Sequence, residues 1–272
     1  MKDMNAGSPA EAKASQAFKT DGINAMERPS LSSRLMTRLI KWAEALNYRY
    51  AVNGNPPVYD TADFPWVKEL EAAAPAIRAE LLPVLQRQSE LPNFHDISSE
   101  VKAISTDSHW KTFFIYAYGL KSARNIATCP ETWKATRKIP GVRAVIFSIF
   151  EPGKHLPPHR GPYNGVLRLH VGMVVPEAGP EDLAIRVRDQ VCQWKEGKAL
   201  IFDDAYDHEA WNHTDKTRVV LFVDFAKPTR FPARLINWAL LNLAIFTPFI
   251  REASEKHKEW ESRFHDDGSA GG

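Results

Sequence analysis

The chain has 272 residues, 44% of them hydrophobic and 25% charged, which suits one sizeable domain with helical additions and excludes two large domains, a wholly disordered chain and full membrane embedding. A formal charge of +2 without a long basic cluster sets nucleic acid aside as the expected partner. Cys129 and Cys192 are the only cysteines and form no CxxC pair, which supports neither a disulfide framework nor a structural zinc site, and the polar first 30 residues hold no signal-peptide core, so a cytosol-facing protein is expected.

Residues 1–28 are rich in Ala, Ser, Lys, Asp and Gly without periodicity and are expected to be disordered, as is the tail 265–272. The segment 29–57 predicts a basic amphipathic helix and a linker: Leu31, Leu35, Leu39 and Trp42 recur at helical spacing, with Arg34, Arg38 and Lys41 beside them. Two helical segments are expected next, one from about residue 64 and one ending near residue 88, punctuated by Pro75 and Pro83. The period then changes to two. RAVIFSIF (143–150), GVLRLHVGMVV (165–175), LAIRVR (183–188), QVCQWKE (190–196), ALIFDD (199–204) and TRVVLFVDF (217–225) read as strands between Gly, Pro and Asp turns, the pattern of a sandwich or jelly roll. Helices are expected over 231–264. Residues 235–250 carry no charge, but they are too few and too interrupted by Pro248 for the roughly 20 residues of a span. This segment is expected to cap the barrel, bury an oligomer interface, or touch a membrane peripherally.

Nine histidines are present. His95, His109, His257 and His265 lie in polar surroundings and are expected at the surface. His159 in PPHRGPYNG and His208 in DDAYDHEAWN each sit in a turn-like sequence beside a β run. Opposite sheets of a jelly roll can bring two such loop histidines together, and imidazole suits iron. His155 and His213 stand near enough in sequence to replace either. Arg218 lies inside the last apolar run, where a charge without a partner costs several kcal/mol. Its partner is either Asp203, Asp204 or Asp224, or a bound anion. On 165–175, Arg168, His170 and Gly172 point one way and Leu167, Leu169, Val171 and Met173 the other. Ser148 interrupts another apolar strand. Donors converging inside a barrel beside two histidines would suit a small dicarboxylate.

At these residues, and through PVYDTADFPWVKELE, HWKTFFIYAYG, TCPETW, IPGVRAVIFSIFEPGKHLPPHRGPYNGVLRLHVGMVVP, WKEGKALIFDDAYDHEAWN and TRVVLFVDFAKP, the chain resembles the aspartyl/asparaginyl β-hydroxylase family, including the ornithine lipid and lipid A hydroxylases grouped with it. The resemblance covers residues 58 to about 228. It implies a mainly β fold with flanking helices, a cupin-like double-stranded β-helix with its core from about residue 142 of a hydroxylase domain spanning 58–230. It also implies oxidative hydroxylation with iron(II), dioxygen and 2-oxoglutarate. Matched position by position, His159 and His208 become the metal ligands, Arg218 the anchor of 2-oxoglutarate, and Ser148, Arg168 and His170 further groups lining that co-substrate site.

One departure matters. Iron oxygenases of this kind usually place Asp or Glu two residues after the first histidine, where this chain has Gly161. The peptide-hydroxylating members are similar in having glycine there, whereas the lipid A hydroxylases carry Asp. Asp203 or Asp204 is then a candidate to order a water from outside the ligand set. The substrate expectation is a lipid-linked acyl chain hydroxylated at its second carbon, with peripheral contact at the inner face of a bacterial inner membrane. The alternatives are β-hydroxylation of Asp or Asn in a peptide or amino acid, and halogenation at the position Gly161 leaves open. The sequence sets no oligomeric state.

Overall fold

The computed structural model describes residues 31–97, 101–243 and 248–267, so the expected disorder of residues 1–28 lies outside the described residues. The chain divides into two units, residues 1–41 and 42–272. Helix α1 (Leu31–Arg49) begins in the first, where Leu35, Met36 and Leu39 are exposed. No helix among the described residues is long and apolar enough to cross a membrane.

Among the described residues of the second unit, eleven strands form two antiparallel sheets: β1 (Val58–Tyr59), β2 (Trp110–Ala117), β3 (Leu120–Lys121), β4 (Val142–Phe150), β5 (Lys154–His159), β6 (Val166–Val174), β7 (Leu183–Val187), β8 (Gln190–Cys192), β9 (Ala199–Phe202), β10 (His208–Asn212) and β11 (Arg218–Ala226). The larger sheet has the order β1-β9-β6-β11-β4-β2-β3 and the smaller β5-β10-β7-β8. From β4 to β11 the chain passes back and forth between the sheets, placing β4 beside β11 and β5 beside β10. That order is a double-stranded β-helix, with β1, β2 and β3 extending the larger sheet.

Central strands of the larger sheet are apolar on both faces because both are covered. Val145, Phe147, Ile149, Leu167, Leu169, Val171, Leu221 and Val223 point outward, where helix α2 (Val67–Gln86) lays Val67, Leu70, Ala74, Ile77, Leu81 and Val84 on them. Each such side chain contributes roughly 2 kcal/mol by leaving water. The opposite parity, Ile146, Phe150, Val220 and Phe222, faces Leu156, Ile185, Val187 and Ala210 of the smaller sheet. Ser148, Arg168, His170 and Arg218 share that inward parity, as the alternation in 165–175 predicts.

Four expectations need correction. Residues 64–88 hold one long helix, with Pro75 and Pro83 inside it, because its apolar stripe continues across both prolines. The run 190–196 is a strand only through Cys192, after which Trp194 turns inward and Glu196 makes an isolated bridge to Gly172. Helix reaches past residue 265, to Asp267: helix α3 (Ala233–Leu243) is followed by α4 (Pro248–Asp267), and residues 268–272 lie outside the described residues. His257 on α4 is buried against Phe114 and Trp260, ring centroids 4.4 and 5.5 Å away, and burial pushes its pKa down to about 4.

Candidate active site

His159 and His208 are not loop residues from opposite sheets. They close β5 and open β10, adjacent antiparallel strands in which they are register partners. The Pro157–Pro158 pair that reads as a turn is tolerated because β5 is a sheet edge, where a missing N–H breaks no ladder. Cross-strand pairing places the imidazoles side by side, centroids 4.1 Å apart and planes at 51°.

Each ring is oriented by its own backbone. His159 Nδ1 lies 2.8 Å from the Pro157 carbonyl and His208 Nδ1 lies 2.9 Å from the Tyr206 carbonyl. A carbonyl only accepts, so each Nδ1 carries the proton and each Nε2 keeps its lone pair. Burial lowers the pKa of both histidines, that of His208 to about 3, with His159 and Arg168 adding to the effect there. Two neutral imidazoles with free Nε2 atoms are a donor set that fits iron. Among the described residues, no group of three or more His, Cys, Asp or Glu is placed to hold a metal. His155 and His213 pair with each other elsewhere, 6.1 Å apart, and His155 is half exposed against Glu209. They do not join the pair.

Arg218 opens β11 inside the barrel and is 1% exposed. Its guanidinium lies between the rings of Phe150 and Trp194, at 3.8 and 4.4 Å from their centroids. Nη1 donates to the Ser148 carbonyl at 3.2 Å, while Nε has no partner. The three aspartates that could neutralise it are engaged elsewhere. Asp203 pairs with Lys227 at 2.7 Å; Asp204 and Asp224 both pair with Arg168 at 2.9 Å. Two aromatic faces return about 1–2 kcal/mol each at most, against several for the buried charge. Burial accordingly pushes the pKa of Arg218 down to about 9, and the group remains charged at neutral pH. An anion is what this position lacks.

The neighbouring groups line the same space. Trp194 donates its indole N–H to His170 Nδ1 at 3.2 Å, leaving His170 Nε2 without a partner. Trp110 donates to Ser148 Oγ at 3.0 Å. Phe202 and Phe222 flank His170, at 5.1 and 5.4 Å, and Phe202 reaches His208 at 5.7 Å. Sequence reading missed both tryptophans, although each stands in a motif that carries the family resemblance. The orphaned nitrogens of Arg218 and His170 beside the histidine pair fit a carboxylate-bearing chelator of the metal.

Arg168 reaches Asp224, its register partner on β11, and Asp204 in the turn before β10. Burial raises the pKa of Asp204, and nearby Asp224 limits what Arg168 recovers. Its Oδ1 has no partner. The Gly161 N–H donates to the Asp204 backbone carbonyl at 2.7 Å, and a Cβ at position 161 would collide with the Asp204 carboxylate. The space from which a ligand carboxylate at 161 would branch is therefore filled by Asp204.

The sequence model of the aspartyl/asparaginyl beta-hydroxylase family matches residues 71–228. The chain is 66% identical over 256 residues to the ornithine lipid ester-linked acyl 2-hydroxylase of Rhizobium tropici, covering 94% of this chain and 90% of that protein. It is 33% identical over 171 residues to the aspartyl/asparaginyl beta-hydroxylase of Homo sapiens, covering 61% of this chain but only 22% of the human protein. A prolyl-4-hydroxylase structure from Pseudomonas putida covers 57% of this chain and 88% of its own at 17% identity and a TM-score of 0.36, so the fold assignment rests on strand order. With a family match across more than half its length and a relative aligned nearly end to end, the chain belongs to the aspartyl/asparaginyl β-hydroxylase family.

Proposed function

We propose that the protein is an iron(II)- and 2-oxoglutarate-dependent dioxygenase that hydroxylates the ester-linked acyl chain of an ornithine lipid at its second carbon. The observation that carries the substrate is the 66% identity to the Rhizobium tropici enzyme across 94% of this chain. The cofactors are supported by the neutral histidine pair and the unpaired guanidinium beside it. His159 and His208 would hold the iron; Arg218, with Ser148 and His170, would hold 2-oxoglutarate. When bound, iron and 2-oxoglutarate together supply the oxidising power that activates dioxygen and breaks a C–H bond.

The chain's own contribution is placement and exclusion. Arg218 receives a carboxylate in a site already desolvated, where a charge-assisted bond is strong. Trp110 and Trp194 fix the rotamers of Ser148 and His170 through their indole bonds. Phe150, Phe202 and Phe222 keep water from that end of the barrel. Arg168 is a positioning residue, its charge spent on holding Asp204 behind Gly161. From there the unpartnered Asp204 oxygen accepts a hydrogen bond from a donor, such as water, beside the histidines. The lipid substrate implies peripheral contact with the cytoplasmic face of the inner membrane.

Expression in a bacterium that makes ornithine lipids, followed by mass spectrometry of total lipid, tests the proposal. The expected product is an ornithine lipid heavier by one oxygen, with the hydroxyl on the second carbon of the fatty acid released by ester hydrolysis. Oxygen gained on lipid A instead would move the substrate. Unchanged lipids together with oxygen gained by an Asp- or Asn-containing peptide would replace this reading with the activity named for the human relative.

A further inference from the structure

Helix α3 leaves large apolar side chains exposed, unlike a helix that meets only solvent. Ala233, Asn237 and Leu241 face the protein, so Leu241 is the one large apolar side chain among the helix's buried residues. Leu235 and Trp238 face outward at 58% and 59% exposure, with Phe231 just before the helix at 73%. Leu235 and Trp238, three residues apart, share one exposed side of the helix, and Phe231 in the turn before it is exposed as well. In the second unit, the end of α1 repeats the pattern: Ala43 and Asn47 are buried while Trp42 and Tyr48 are exposed.

Both segments hold the loop that leaves His159. Asn47 donates to the Tyr163 hydroxyl at 2.9 Å, Asn164 donates to the Glu44 carbonyl at 3.0 Å, and Asn237 donates to the Gly165 carbonyl at 2.8 Å. The N–H of Arg230 donates to the Tyr50 carbonyl at 2.9 Å, tying the two segments together. An apolar surface with two tryptophans is therefore carried by the segments that hold the loop leaving His159.

Its charge is one-sided. Residues 226–243 contain no Asp or Glu, and 42–52 contain only Glu44, which pairs with Arg160 at 3.5 Å. Arg49, Arg230 and Arg234 are exposed. A second copy of the chain, meeting this face about a two-fold axis, would bring arginines against arginines. An anionic lipid surface matches both the charge and the aromatic groups, which settle at the level of headgroups.

We propose that the Trp42, Tyr48, Phe231, Leu235 and Trp238 surface, with Arg49, Arg230 and Arg234, docks on an anionic bilayer and presents the histidine pair to acyl chains in that bilayer. The consequence for substrate rests on the ornithine lipid reading; the docking does not. Flotation of the full chain with phosphatidylglycerol–phosphatidylethanolamine vesicles should show binding that weakens with salt and is far weaker on phosphatidylcholine vesicles. Arg230→Glu with Arg234→Glu should weaken binding by at least about tenfold, each arginine near such a surface being worth about 1 kcal/mol. Leu235→Glu with Trp238→Glu should abolish it. Both pairs should keep the parent's melting temperature and its turnover of detergent-dispersed ornithine lipid, and lose turnover of the same lipid embedded in vesicles.

Parent protein that ignores anionic vesicles would overturn the docking, as would variants that float like the parent. Equal loss in detergent and vesicles would assign these residues to the site itself. A stable dimer without lipid, split by the same substitutions, would make a second copy the occupant. Vesicle binding without hydroxylation of ornithine lipid in either format would keep the docking and remove the substrate reading.

Discussion

Arg218→Met is expected to raise the melting temperature of the protein without ligand and to abolish the further rise that 2-oxoglutarate gives the parent. The guanidinium is buried without a carboxylate, and its pKa is lowered to about 9 by that burial. For a base, a folded-state pKa below the ordinary value means that the charged form is penalised on folding. The penalty is fully present at neutral pH and is relieved only as pH climbs above about 9. Methionine fills the slot between Phe150 and Trp194 with a thioether that suits aromatic faces. Replacing an uncompensated buried ion by such a side chain is worth about 1–3 kcal/mol, or about 2–4 °C for each kcal/mol in a chain of this size. In the parent, 2-oxoglutarate at a hundred times its Kd adds about 2.7 kcal/mol. Thermal unfolding of both proteins with and without 2-oxoglutarate gives the answer. A lower melting temperature in the variant with an unchanged ligand shift would mean that Arg218 serves the fold and not the co-substrate.

His208→Ala should lose iron and 2-oxoglutarate turnover together, by more than about 100-fold, since second-sphere changes alone cost 10–100-fold at metal sites. With two protein ligands, removing one leaves a single imidazole. The strand should survive, because β10 is held on both sides by backbone pairing to β5 and β7. Iron stoichiometry and succinate release are the measurements, with circular dichroism as the control for folding. His155→Ala and His213→Ala, on residues outside the pair, should change turnover by no more than about twofold, the size of an ordinary surface substitution. A His208→Ala protein that binds iron and turns over normally would remove the pair as the metal site.

The β alternation was legible because it is strict where two covered faces demand it: Leu167, Leu169, Val171 and Met173 against Arg168 and His170. The pairing of β5 with β10 was not. Prolines 157 and 158 speak against a strand unless it is known to lie at an edge, and edge position is set by the whole sheet. The cross-strand contact of His159 with His208 depends on register between segments 49 positions apart, which no local spacing encodes. Likewise Arg218 left two partners open, and only the positions of Lys227 and Arg168 show the aspartates to be occupied. Trp194 reads as the end of a strand because its turn inward follows from what it meets there.

The crowding of residue 161 by the Asp204 carboxylate bears on whether a third metal ligand can be engineered into this chain. A carboxylate introduced at 161 has room only if the Asp204 side chain gives way, and Arg168 holds that side chain. Building a third ligand into this chain therefore calls for a paired change at 161 and 204. Glycine at this point is thus favoured by its neighbour, and the two-histidine ligand set follows from how Asp204 is seated.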